Sequence, residues 1–192
     1  MSTVAAQPRR RLAGRQTETV QRLVDAAVAE LAAGGYDGLS VRSVARRAGV
    51  APATAYAYFS SKDHLVAEVF SRRLHDLPPV AADRRRSPTA RVAAALDGIG
   101  RLVASEPELA AAATVAVIAR DPDVEPLRDR IGALVQQRLV DALGDDARPD
   151  VIAALMLAFA GAALQAGMGY FGYDELADRV AVVAALIFGS DA

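Results

Sequence analysis

Side chains able to do covalent chemistry are few in this 192-residue sequence. There is no cysteine, which excludes thiol catalysis, a cysteine zinc site and a disulfide framework. The two histidines, His64 and His75, on one helix would lie within about 20° of a common face but roughly 16 Å apart along its axis, too far to share a metal. No phosphate-binding loop, nucleophile elbow or carboxylate pair with a supporting base occurs. These patterns predict no enzyme, no cofactor and no metal site. What remains is the chemistry of charge recognition. Residues 1–75 carry 11 Lys+Arg against 6 Asp+Glu, and residues 76–192 carry 11 against 17, so +5 and −6 lie hidden in a net charge of −1. A basic amino-terminal third beside an acidic remainder fits a polyanionic partner at one end of the molecule.

The elements that must position those cations are helical. The composition, 53% hydrophobic and 23% charged, is that of a globular chain. No run alternates apolar with polar residues, so the class is all-α. Residues 39–65 organise the rest. Val41, Val44, Ala45 and Ala48 recur at helical spacing, Gly49 follows where a left-handed residue would end a helix, and a second helix fits from Ala51 or Pro52 to Phe59. Two short helices joined this tightly form a helix-turn-helix, whose second helix can enter a DNA major groove.

In chain order, residues 1–16 read as a flexible basic arm, whose Arg9, Arg10, Arg11 and Arg15 either stay solvated or touch DNA phosphates or a narrow minor groove. A first helix is expected over residues 17–33, capped by Thr17 and stopped by Gly34-Gly35, with Tyr36 and Leu39 returning to the core. Ser40 caps the next helix. Ser60 and Asp63 resemble a capping box opening a connecting helix, which Pro78-Pro79 ends. Residues 80–89 form a polar connector. Beyond it, helices are expected at about 89–104, 107–119, 123–143, 149–170 and 174–188. The division is thus an arm over 1–16, a helix-turn-helix domain with its connecting helix over 17–80, and a larger helical domain over 81–192.

Residues 151–173 lack any formal charge and are long enough to span a bilayer. Acidic flanks, four glycines and Gln165 argue instead for a helix buried on most sides, and predict no membrane. Ala158, Gly161, Ala162, Gln165 and Gly169 would let another helix approach closely, as an intrachain core or a subunit interface. No secretory signal opens the chain, so a cytoplasmic location is expected.

Residues 17–77 resemble the DNA-binding domain of the TetR family of bacterial transcriptional regulators. The matching pieces are Gly35-Tyr36, then Ser40-Val41-Arg42-Ser43-Val44-Ala45, Ala48-Gly49-Val50, Thr54, Tyr56, Tyr58-Phe59 and Ser61-Lys62-Asp63-His64-Leu65, in order and at the right spacing. The resemblance implies a homodimer through the last two helices, with each subunit reading half of a pseudo-palindromic operator in double-stranded DNA. It also implies a repressor that a small ligand releases by moving the connecting helix. Arg42, Pro52, Ala53 and Thr54 match the family's base-facing positions, and Tyr56, Tyr58 and Lys62 its phosphate-contacting ones. Phe59 and Val50 read as core.

This sequence departs from the family pattern at Ala51, where a serine cap is common, and at Ala55 and Ala57. Losing a cap costs about 1 kcal/mol. With so few hydrogen-bonding groups on the second helix, thymine methyl contacts, Arg42 and DNA shape are expected to carry much of the specificity. In the larger domain Leu96, Ile99, Leu102, Val117, Ile118, Met156 and Phe159 are candidate pocket residues, and their apolar character implies a small lipophilic ligand.

Overall fold

The computed structural model describes residues 7–189, and all regular structure among them is helical. Its helices are α1 (Gln7–Gly38), α2 (Val41–Arg47), α3 (Pro52–Tyr58), α4 (Lys62–His75), α5 (Pro88–Ser105), α6 (Pro107–Ile118), α7 (Glu125–Leu143), α8 (Pro149–Gly167) and α9 (Leu176–Phe188). Short 3-10 turns at Gly144–Asp146 and Tyr173–Glu175 precede the last two.

Two expectations at the amino terminus need correction. Helix α1 begins at Gln7, so Thr17 lies inside it and is not its cap. Residues 7–16 are thus the opening turns of a helix, and the arm's residues 1–6, like its arginine side chains, fall outside the described residues. The break expected at Gly34-Gly35 is present as a kink: Gly35 has φ 61° and ψ −171°, after which one further turn runs to Gly38. A residue without Cβ adopts that conformation at little cost, and the redirected chain places Leu39 in the core.

The first four helices gather around Leu23, Ala27, Leu31, Leu39, Val44, Ala55, Phe59, Leu65 and Val69. This core is not closed by residues 17–80 alone. Leu109, Ala112, Ala113 and Ala116 of α6 belong to it, while Ala110 of the same helix belongs to the second core. A helix used on two sides must be apolar nearly all round, and the run of alanines along α6 fits that demand.

The second core is built from α5, α7, α8 and α9, with Leu96, Ile99, Leu139, Leu143, Leu155, Leu176 and Val180 essentially inaccessible. Helix α5 packs most extensively on α9 and α7. Arg91 of α5 is buried, and its Nη1 donates to the carbonyls of Ala142 and Leu143 at the end of α7 while Nη2 pairs with Asp146. A cation on the open carbonyls of a helix C-terminus satisfies both the hydrogen bonds and the dipole there.

Helix α8 is not buried on most sides. Only Val151, Ile152, Leu155, Ala162 and Ala166 of its 19 residues are buried. It lies at the edge of the bundle beside α9, and its outer face stays apolar. Leu157 (76% exposed), Leu164, Met168 and Tyr170 stand out on and just after α8, and Val182 and Leu186 (81% exposed) on α9. By length and composition α8 is the one described helix able to cross a membrane.

Candidate nucleic-acid interface

Helix α2 is seven residues long, too short to persist alone, and is held by its ends. Ser40 Oγ accepts the Ser43 amide at 3.0 Å, and Ser43 Oγ accepts the Ser40 amide at 3.2 Å, a capping box in which serine replaces the usual acid. At the other end Gly49 takes φ 64°, the Val50 amide returns to the Ala45 carbonyl at 2.9 Å, and Arg22 reaches across from α1 to the Ala48 carbonyl at 3.4 Å. The turn into α3 is therefore fixed by backbone conformation.

Helix α3 is attached to the core by Ala55 and Phe59, both buried. Around these anchors Pro52, Ala53, Thr54, Tyr56 and Ala57 face outward, with Tyr56 50% exposed, while Tyr58 is half-buried. As expected, Ala51 gives α3 no side-chain cap. Of its first amides, that of Thr54 returns to the Ala51 carbonyl at 2.9 Å, and Pro52 has no N–H to satisfy. Arg42, on the exposed side of α2, has no hydrogen-bond or ion-pair acceptor among the described residues. Neighbouring Arg47 is instead tied to Glu30, whose carboxyl it holds below the usual range. Helix placement thus brings Arg42, Pro52, Ala53, Thr54 and Tyr56 to solvent on one motif.

Lys62 sits differently. Its Nζ donates to the Tyr36 carbonyl at 3.2 Å and lies 3.8 Å from the centre of the Tyr36 ring. The Tyr36 hydroxyl donates to Asp63, and burial, followed by that carboxylate, pushes the phenol far above its ordinary pKa. Asp63 is therefore engaged by Tyr36 and does not complete a box with Ser60. The cap of α4 is Ser61, whose Oγ accepts the His64 amide at 3.0 Å. Serines 60 and 61 both suit a cap, and the identity of residue 63 favoured the wrong one.

Ser61 also donates to Asp121 Oδ2 at 2.6 Å, joining the start of α4 to the loop between α6 and α7. Arg128 braces that loop by donating to the carbonyls of Val117 (2.6 Å) and Ala119 (2.8 Å). Ser61, together with the backbone amide of Asp123 and the nearby His64, holds the Asp121 carboxyl below its usual range. A pair sixty residues apart left no local signal in the sequence. His64 is half-buried rather than solvated: its ring meets Phe59 edge-on at 5.6 Å and its Nδ1 lies 3.2 Å from Ser60 Oγ. His75 is exposed.

Of the apolar pocket candidates, Leu96 and Ile99 are buried within the second core, and Leu102, Val117, Met156 and Phe159 are half-buried against it. Ile118 stands apart. As the last residue of α6 it is 66% exposed and belongs to no core.

A compact helix-turn-helix with an outward-facing second helix is general to many regulators, and comparison with known proteins narrows it. Residues 23–69 match the family model for bacterial regulatory proteins, tetR family. An uncharacterized HTH-type transcriptional regulator of Mycobacterium tuberculosis (strain ATCC 25618 / H37Rv) is 46% identical over 175 residues, covering 90% of this chain and 82% of that protein. The chain belongs to the TetR family. The HTH-type transcriptional repressor KstR of Rhodococcus jostii (strain RHA1) is 32% identical over 131 residues, 68% of this chain and 62% of that one. A solved TetR transcriptional regulator from Rhodococcus sp. RHA1 shares the fold, with a TM-score of 0.77, 21% identity and coverage of 91% and 97%. As a TetR-family member the protein is a DNA-binding transcriptional regulator and not an enzyme. The structural match extends well past residue 69, so the all-helical carboxy-terminal part shares the TetR architecture.

Proposed function

We propose that the protein is a homodimeric, cytoplasmic repressor that holds a pseudo-palindromic operator and is released from it by a small lipophilic ligand. The observation carrying this reading is the outward face of α3, with Pro52, Ala53, Thr54 and Tyr56 exposed beside an Arg42 that has no acceptor among the described residues. A free guanidinium can donate two hydrogen bonds to guanine, and the threonine methyl and alanine side chains suit thymine methyls. Tyr56 and Tyr58 would position the helix on phosphates. Lys62, engaged with Tyr36, would have to leave that ring or reach phosphate from it.

Two subunits joined through α8 and α9 would present two such heads, as a two-fold operator demands. The apolar outer faces of those helices support that pairing. Repression is the stated role of the KstR relative. The presence of two cores supports a division into a reading part over residues 17–80 and a ligand and dimer part over 81–192, although α6 is shared and Leu74 of α4 lies in the second core. Lipophilic ligand chemistry follows from the apolar surroundings of Leu96, Ile99, Leu102, Val117, Met156 and Phe159. A ligand releases DNA only to the extent that it prefers the non-binding state.

Footprinting of the DNA flanking the gene tests the reading. The expected result is a protected two-fold site, bound with a salt dependence of roughly −0.9 in log K per phosphate neutralised. Uniform, sequence-independent protection would overturn it.

A further inference from the structure

The apolar candidates above leave the polar end of any ligand unassigned, and the cleft between the end of α4 and α5 supplies one. It has a volume of about 710 Å³ and is lined by Leu77, Pro78, Gly98, Arg101, Leu102, Ala104 and Ser105. Leu77 and Leu102 are half-buried and pack against the second core, so the apolar wall of this open cleft lies on that core. Its volume is within the range of small-molecule sites.

Behind two of its wall residues stands Arg138 of α7. Its Nη1 donates to the Pro78 carbonyl at 2.8 Å and its Nε to the Ala95 carbonyl at 3.2 Å. Its Nη2 lies 3.0 Å from where a Cβ on Gly98 would be, so the guanidinium sits against α5 at a position where a side chain would crowd it. Nη2 has no acceptor among the described residues, and Arg138 has no carboxylate in ion-pair contact. Asp141, one turn along α7, acts on it only at a distance and receives a hydrogen bond from Gln137. Partial burial without a counter-ion lowers the Arg138 pKa from its ordinary value. Arg101, the other cation at the cleft, is already paired with Asp97.

A half-buried guanidinium lacking an anion, held against the wall residues Pro78 and Gly98 of an apolar cleft, is matched by an amphiphile with one carboxylate. We propose that the cleft binds a lipophilic monocarboxylate of the fatty-acid type, with the chain on Leu77 and Leu102 and the carboxylate on Nη2 of Arg138. This rests on the lipophilic-ligand reading above and sharpens it to an acid.

The test compares decanoate with 1-decanol, by calorimetric titration of the full-length protein at neutral pH. A charge-assisted hydrogen bond predicts that the acid binds at least about tenfold more tightly than the alcohol. In Arg138→Gln that preference should fall below about twofold while decanol affinity is unchanged. Gly98→Ala, which displaces only the flexible end of Arg138, should reduce the preference in a protein with the parent melting temperature, and decides the matter should Arg138→Gln fail to fold. Equal binding of acid and alcohol, binding of neither, or an undiminished preference in the variants would overturn the proposal. The footprint is measured without ligand, so its failure counts against the operator reading and a failed acid preference against this site alone.

Discussion

Arg42 and Asp121 are two residues whose surroundings make opposite demands. Arg42 has no acceptor among the described residues, and an arginine free to extend is available to a base edge. Arg42→Ala should therefore cost about 1–3 kcal/mol against the operator and relax its preference at one base pair, with binding to random DNA falling much less. Competition binding with operator and scrambled duplexes checks this, and unchanged discrimination would remove Arg42 from the reading set. Asp121 is held by Ser61 Oγ, the Asp123 amide and the charge of His64. Its folded-state pKa is depressed, so its contribution to stability is complete above the unfolded value of about 3.9 and is lost as pH falls through the lower folded value. Asp121→Asn should accordingly flatten the dependence of thermal stability on pH below about pH 4. A slope equal to the parent's in that range would show that Ser61 and Asp121 do not stabilise the join between α4 and the α6–α7 loop.

Among the elements, α3 is the least secured by its own sequence and the most dependent on its neighbours. Its cap residue Ala51 makes no side-chain bond, whereas α2 has a reciprocal serine box and α4 has Ser61. Ala51→Ser should stabilise the protein by about 0.5–2 kcal/mol, measured by denaturant titration, with no change in the m-value. A neutral or destabilising outcome would mean that the turn excludes the cap geometry. These short helices were legible in the sequence because their signals are local: Ser40, Gly49 and Pro52 each act within four residues. The larger helices were equally legible, since Pro88, Pro107 and Pro149 stand in first turns and Gly144 just past the end of α7. What was hidden involves distance along the chain. Nothing near residue 61 announces Asp121, nothing near residue 98 announces Arg138, and the alanines of α6 do not say that they complete a core begun ninety residues earlier. Burial of α8 was overestimated for a related reason. Apolar composition records that a face is covered, but not whether the cover belongs to the same chain.

That ambiguity belongs to the scale of the whole molecule, where the proposed dimer supplies the cover. The exposed residues Leu157, Leu164 and Met168 recur along one side of α8, and Val182 and Leu186 are one turn apart on α9. Scattered exposed leucines are ordinary, but apolar residues aligned on two adjacent helices form a patch that a stable soluble monomer rarely leaves uncovered. A membrane would wet such a face without shape, whereas Gly161, exposed and with open space around its Cβ position, provides a notch for a helix to cross. In the proposed dimer a second copy would set the same face into that notch by two-fold symmetry. Leu157→Glu and Leu186→Glu, separately and together, should each weaken dimerisation by about 2 kcal/mol or more at a central position, while the helical circular dichroism stays unchanged because neither side chain supports its own chain's core. Sedimentation velocity should then show a monomer at concentrations where the parent is a dimer, and operator affinity should fall to that of a single half-site. If the double variant remained a dimer, the two reading heads would have to be joined through a different face, and the half-site spacing would be set by that face instead of by α8 and α9.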